Sequence, residues 1–127
     1  MILSGFDQEY MEQAVQLALE AEAKGNLPIS AVIAHAGKII AEGNNAIWKP
    51  DLSPHRHAEM EAMGDIPADL REQTEDMTLY TTLEPCLMCF GAILLYRIGR
   101  VVFGSADGFG GASASFGRLP DYFKNQL

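Results

Sequence analysis

The run from Met77 to Gly104, MTLYTTLEPCLMCFGAILLYRIGRVVFG, constrains the fold more than any other part of the chain. Met77–Leu83 is rich in Thr, Tyr and Leu and reads as a strand, which Pro85 closes. Cys86 to about Arg97 then carries three turns of mostly apolar residues, and Arg100–Gly104 reads as a second strand. Two strands joined through one helix pair in parallel by a right-handed crossover. The helix between them is apolar on most sides, so Met88, Phe90, Leu94 and Leu95 are assigned to the core, with Phe90 also able to line a pocket.

The rest of the chain has to complete a sheet around that unit. Asp7–Lys24 carries Met11, Val15, Ala18, Leu19 and Ala21 near helical spacing, and Lys24-Gly25 supplies a C-terminal stop. Ile29–Ala34 and Lys38–Glu42 are β-rich runs joined by a turn at His35–Gly37, an antiparallel hairpin. Asn44–Arg56 has no periodicity and reads as a long loop, with Trp48 its one large apolar group. His57 to about Asp65 forms a short helix, and 66–76 is a polar, acidic connection with one helical turn near Ala68–Glu72. The Gly/Ser-rich stretch after Gly104 is read as surface, followed by a last turn at Pro120–Asn125. The order helix, strand, strand, helix, strand, helix, strand calls for one α/β domain over residues 1–127. Its expected form is three layers, α/β/α, with a mixed sheet of about four strands and helices on both faces.

Bulk properties exclude several classes. No stretch approaches the roughly 20 apolar residues of a membrane span, and MILSGFDQEYMEQ lacks the basic start of a targeting leader, so a cytoplasmic protein without a membrane partner is expected. Nine Lys and Arg against 17 Asp and Glu give a net charge of −8, which disfavours a polynucleotide partner held through its phosphates. The two cysteines, Cys86 and Cys89, lie three apart where a strand hands over to a helix, so their sulfurs share one face of its first turn. That spacing fits either metal binding or a redox pair.

A second motif shifts the balance toward metal binding. His57-Ala58-Glu59 adds an imidazole, and an imidazole with two thiolates is a three-ligand zinc site with an open fourth position, the catalytic pattern. Residues two apart inside a helix point about 200° apart. His57 and Glu59 therefore converge only if His57 stands at the helix start. A carboxylate held there beside the metal, but off it, can take a proton from water and pass it to a substrate.

HAE followed by PCLMC resembles the H-x-E and P-C-x-x-C pattern of the zinc-dependent cytidine and deoxycytidylate deaminase superfamily. LEPCLMCFGAILLYRIGRVVFG is similar to the matching segment of bacterial tRNA adenosine deaminases, and DMTLYTTLEPCLMC also resembles fungal cytosine deaminases. The resemblance runs from about Pro28 to Ala112. It implies a cytidine-deaminase-like fold, one Zn2+ per chain on His57, Cys86 and Cys89, and Glu59 as the catalytic proton shuttle. It also implies that Asn45 binds the substrate base, with Asn44 its local rival, and that the backbone around Glu84 and Pro85 borders the pocket. A homodimer is expected on the same ground.

The chain departs from the family pattern at Ser30 in PISAV, where relatives carry Gly and where a hydroxyl would alter the pocket floor. It departs again at LSPHRHAE and at its last residues, LPDYFKNQL, where neither a fifth strand nor a basic C-terminal helix is expected. Trp48 reads either as a lid stacking on a base or as a plug pinning the loop. His35, His55 and Glu61 are assigned to the surface, and Met60 to the core. The leading expectation is a hydrolase that replaces an exocyclic amine of a free nucleobase or nucleoside of cytosine, guanine or adenine type. The alternatives are a tRNA-specific adenosine deaminase and, from another class, a non-catalytic zinc-binding or C-x-x-C redox module.

Overall fold

The computed structural model describes residues 4–126; Met1–Leu3, part of the stretch read for a leader, and Leu127 lie outside the described residues. A first helix α1 (Gly5–Ala23) leads into the hairpin β1 (Ser30–His35) and β2 (Lys38–Asn44), then α2 (Ala58–Gly64). After two short 3-10 turns come β3 (Thr78–Leu83), α3 (Leu87–Tyr96), β4 (Arg100–Ser105), a 3-10 stretch over Ser113–Arg118 and a final turn α4 (Asp121–Lys124). The sheet order is β2-β1-β3-β4, with β1 antiparallel to both neighbours and β3 parallel to β4. The crossover through α3 therefore has the parallel strands its sequence demanded. No helix among the described residues is long and apolar enough to cross a membrane.

Strand alternation divides the core into two faces. Ala31 and Ile33 of β1 and Leu79 of β3 pack against Ala58, Ala62 and Met63 of α2 and Ile93 of α3. On the opposite face Val32, Ala34, Tyr80 and Val102 meet Tyr10 and Ala14 of α1. The side of α1 that packs is Asp7, Tyr10, Ala14, Ala18 and Ala21, so Val15 and Leu19 of the expected stripe are exposed instead. Small residues let the helix lie close to the sheet, and the larger Val15 and Leu19 fall outside that contact. A similar correction applies to α3, where Cys89, Phe90, Ile93 and Leu94 are buried but Leu87, Met88 and Leu95 are exposed. The described chain covers the side of α3 turned toward the sheet, α2 and the segment that ends in α4.

Two contacts fix where the helices lie. Gly43 of β2 sits directly beneath α2: a Cβ there would fall 2.4 Å from the Ala58 carbonyl oxygen and 2.4 Å from the Ala62 nitrogen. Backbone rests on backbone, and any side chain at 43 would lift the start of α2. On the other face Asp7 accepts four hydrogen bonds, two from Arg100 at 2.7 and 2.8 Å, one from the Tyr80 hydroxyl at 2.5 Å and one from the Ser4 N–H at 3.0 Å. One buried carboxylate thus closes the capping box of α1 and ties that helix to β3 and β4. Hydrogen bonds from Arg100 and Tyr80 hold the Asp7 carboxyl well below the usual carboxylate range, while burial and the Asp7 bond raise the Tyr80 hydroxyl to about 12.

Asp7→Asn is expected to cost about 2–3 kcal/mol at neutral pH, because it leaves the half-buried Arg100 without its counter-charge. A depressed carboxyl stabilises the fold above its unfolded value, about 3.9, and loses that contribution as pH falls toward the depressed one. Urea unfolding of both proteins should therefore show a gap at pH 7 that narrows below about pH 4; a constant gap would contradict the ion-pair reading. Gly43→Ala should lower stability by about 1–3 kcal/mol through forced overpacking, read in the same experiment.

Candidate active site

The site forms where two helices begin. His57 is the N-cap of α2 and Cys86 the N-cap of α3, both with extended backbone (φ −74°, ψ 153° and φ −74°, ψ 177°) and neither spending its side chain on a capping bond. Each ligand stands half outside its helix, as the spacing of His57 and Glu59 required. Pro85 ends β3 and turns the chain into α3, which brings Cys89 around on its first turn. Gly43 brings α2 down onto the sheet on the same face.

The three ligand atoms converge. His57 Nδ1 lies 3.5 Å from Cys86 Sγ and 3.6 Å from Cys89 Sγ, and all three atoms fall within 4.8 Å of one another. A tetrahedral zinc with bonds of about 2.3 Å to sulfur and about 2.05 Å to nitrogen sets its nitrogen and sulfur ligands about 3.6 Å apart. The spacing matches a zinc tetrahedron with one corner open. Both cysteines are free thiols rather than a disulfide.

The electrostatics of the donor set also fit a cation. Burial pushes the Cys89 thiol up, and the neighbouring Glu59 and Cys86 push it further; burial likewise raises the Glu59 carboxyl, against weaker lowering contacts with Cys89 and His57. Acidic groups crowded in a dry pocket oppose each other's ionisation. A divalent ion among them reverses that opposition and favours the thiolates.

Next to the ligands is a small cleft of about 140 Å³, bordered by Leu27, Ile29, Asn45, Ile47, His57, Glu59, Leu83, Glu84, Cys86, Asp107 and Gly110. Glu59 is 4 % exposed, faces Cys89 and stands outside the ligand triangle. Asn45 is buried; its N–H donates to the Ile29 carbonyl at 2.9 Å and its Oδ1 accepts from the Ile47 N–H at 3.2 Å, which leaves the amide NH2 as its free end. Asn44, its rival, instead lines a neighbouring surface cavity with Lys24, Lys49 and Arg56.

Three expected pocket residues lie elsewhere. Ser30 is fully buried on the α1 face, its hydroxyl donating to the Ala14 carbonyl, because it shares strand parity with Val32 and not with Ala31. Pro85 is buried and lines a separate apolar cavity with Phe90, Ile93 and Leu94. Trp48 is 55 % exposed outside the cleft lining, so it is not a plug; its N–H and that of Lys49 both donate to Asn26 Oδ1, which ties the loop to the end of α1. His55 is exposed as expected, but His35 is half-buried and bonded to Gln73, and Glu61 pairs with Arg56 at 2.6 Å.

Asp107 and Gly110 were missed within a stretch read only as Gly/Ser-rich surface. A signal for them existed: β3 and β4 are parallel, so the segment after β4 must leave the sheet at the edge where β3 delivers Cys86, the edge where ligands collect in open α/β sheets.

Comparison with known proteins agrees with this geometry. The tRNA-specific adenosine deaminase of Bacillus subtilis is 41 % identical over 89 % of this chain and 70 % of its own length. A structure from a study of A-to-I editing by tRNA:A34 deaminases superposes with a TM-score of 0.76 at 34 % identity, covering 89 % of each chain. The guanine deaminase of Bacillus subtilis superposes with a TM-score of 0.71 at 30 % identity, covering 98 % of this chain and 76 % of that one. Residues 4–105 match the cytidine and deoxycytidylate deaminase zinc-binding region. The ligand triangle, the neighbouring carboxylate and the match over most of the chain converge: this is a zinc-dependent hydrolytic deaminase belonging to the cytidine and deoxycytidylate deaminase family.

Proposed function

We propose that this domain deaminates an adenine base presented by a tRNA strand. The observation that carries this reading is the likeness, over 89 % of the chain, to tRNA-specific adenosine deaminases, and the size of the cleft sets how much of the RNA enters. At about 140 Å³ it is well below the roughly 300 Å³ of ordinary small-molecule pockets and takes one flat ring system. The sugar and anything attached to it remain outside, as when a base is turned out of a nucleic-acid chain into a pocket. The likeness to a tRNA-specific adenosine deaminase and to tRNA:A34 deaminases supports the same substrate. It stands against the net charge of −8 and beside a cavity that shares Asn45 with the cleft, where Lys24, Lys49 and Arg56 are matched by Glu42, Glu61 and Asp65 and only the two lysines have no ion pair among the described residues.

Zinc held by His57, Cys86 and Cys89 would supply Lewis-acid activation of a water. Glu59 would take one proton from the attacking water and place it on the ring nitrogen beside the amine-bearing carbon, then take the second proton from the hydroxyl added to that carbon and deliver it to the departing amine. The water oxygen replaces the amine nitrogen, and ammonia leaves. Asn45 holds the base edge through its free amide NH2. His57, Cys86 and Cys89 hold the metal, one ion per chain. A reducing cytoplasm suits two thiolate ligands, and pairing into a homodimer would cover the exposed Leu87, Met88 and Leu95 of α3.

A free-base deaminase is the second reading, favoured by the net charge of −8 and by the likeness to guanine deaminase. Ammonia release from an anticodon stem-loop, guanine, cytosine, adenine and their nucleosides separates the two. Turnover confined to the RNA supports the proposal, and turnover of free guanine or cytosine reverses it. Lys24 and Lys49 have no ion pair among the described residues. Two such phosphate contacts to a single strand give a salt slope of about −1.4, so RNA affinity should fall about sevenfold between about 50 and 200 mM salt.

Glu59→Gln should keep about one zinc per chain and lose about 10²–10⁴-fold in turnover, as measured by metal analysis and kinetics on one preparation. Retained turnover would remove the proton-shuttle role. Cys86→Ser should lose both zinc and activity.

A further inference from the structure

The cleft wall formed by Asp107 and Gly110 belongs to the segment after β4, in which Gly108, Phe109 and Gly110 are all exposed. Five hydrogen bonds join residues 105–113 to the two residues that precede Cys86. The Glu84 N–H donates to the Ser105 carbonyl at 2.8 Å, and the Ala112 N–H to the Pro85 carbonyl at 2.9 Å. The other three end on one side chain: the Asp107 N–H donates to Glu84 Oε1 at 3.0 Å, while the Ser113 N–H and hydroxyl donate to Oε2 at 3.2 and 2.7 Å.

Glu84 is 9 % exposed, and the segment closes tightly over it. A Cβ at Gly111 would fall 2.3 Å from the Glu84 carboxyl carbon and from Oε2, and 2.6 Å from the Asp107 carbonyl oxygen. The carboxylate and the missing side chain at 111 are two halves of one fit. A buried carboxylate with such a donor set is costly to leave unpaired.

We propose that Glu84 is a positioning residue: its carboxylate and the bare backbone at Gly111 hold the 105–113 segment as the wall of the substrate cleft, in fixed register with the Cys86 ligand. This rests on the cleft being the substrate site, as proposed above. The carboxylate is spent on the wall and does not reach the reacting atoms. Loosening the wall weakens the grip on ground state and transition state alike, which raises KM and leaves kcat nearly unchanged. A purely structural carboxylate would lower stability and leave KM alone.

The test uses zinc-loaded Glu84→Gln, Gly111→Ala and the milder Ser113→Ala, with Ser113→Thr as the conservative control. Three quantities are read: zinc content, KM and kcat on the substrate found in the panel, and chymotrypsin cleavage after the exposed Phe109. Glu84→Gln and Gly111→Ala should keep zinc, raise KM by about tenfold, change kcat by less than about threefold and speed cleavage at Phe109. Ser113→Ala should shift the same quantities in the same direction by a smaller factor, and Ser113→Thr should restore them. Unchanged KM, or unchanged cleavage in every variant, overturns the proposal, and so does loss of zinc from Glu84→Gln. If the wild type turned over no compound in the panel, the substrate reading would fail separately, and cleavage at Phe109 would still decide whether Glu84 holds the wall.

Discussion

The backbone of α2 rests on the backbone of β2 at Gly43, and the metal site depends on that contact. His57 is the residue before α2 and Cys86 the residue before α3, so the distance between an imidazole nitrogen and a sulfur is set by how two helices sit on one face of a sheet. Zinc tolerates only a few tenths of an ångström in its bonds. A helix that stood off the sheet by the thickness of one methyl group would carry His57 and Glu59 away from the cysteines. Ala58 and Ala62, both fully buried, follow the same rule of small residues at the seam.

Given that seam, the chemistry follows from burial and division of labour. A half-exposed imidazole, one buried and one half-buried thiol, and a buried carboxylate share a space whose burial penalises the charged forms of Glu59 and Cys89. In the proposed mechanism three of the four groups are spent on an ion, and the fourth is held beside it to move protons. The walls take their positions from the same strand ends: Asn45 from the end of β2, Glu84 from the end of β3, and Asp107 from the end of β4. Three strand ends therefore border one cleft beside the metal ligands. The opposite face of the sheet, where Asp7 binds Arg100 and Tyr80, carries the load of holding α1.

Motif and spacing made the centre of this site legible. HAE and PCLMC specify ligand types and place all three ligands at helix starts, and the strand-helix-strand run dictates the parallel pair. What stayed hidden depends on register and on contacts distant in sequence. Ser30 has the right neighbours in sequence and the wrong face of β1, and a strand's parity is fixed only once its pairing is known. Asp7 reads as an ordinary first-turn acid; its ion pair lies 93 residues away. Leu87 and Leu95 look like core because composition records apolarity and not what covers it. The charge of −8 likewise sums the whole chain and says nothing of Lys24 and Lys49 standing together near the cleft.

Zinc K-edge X-ray absorption on the zinc-loaded protein tests most directly whether three residues hold the metal and a fourth works beside it. Two sulfur atoms at about 2.3 Å, one nitrogen at about 2.0–2.1 Å and one further light atom are expected, with the same shell in Glu59→Gln. A shell that changes when Glu59 is replaced, or one without two sulfurs, would contradict the division between ligands and proton carrier on which the whole reading of the site stands.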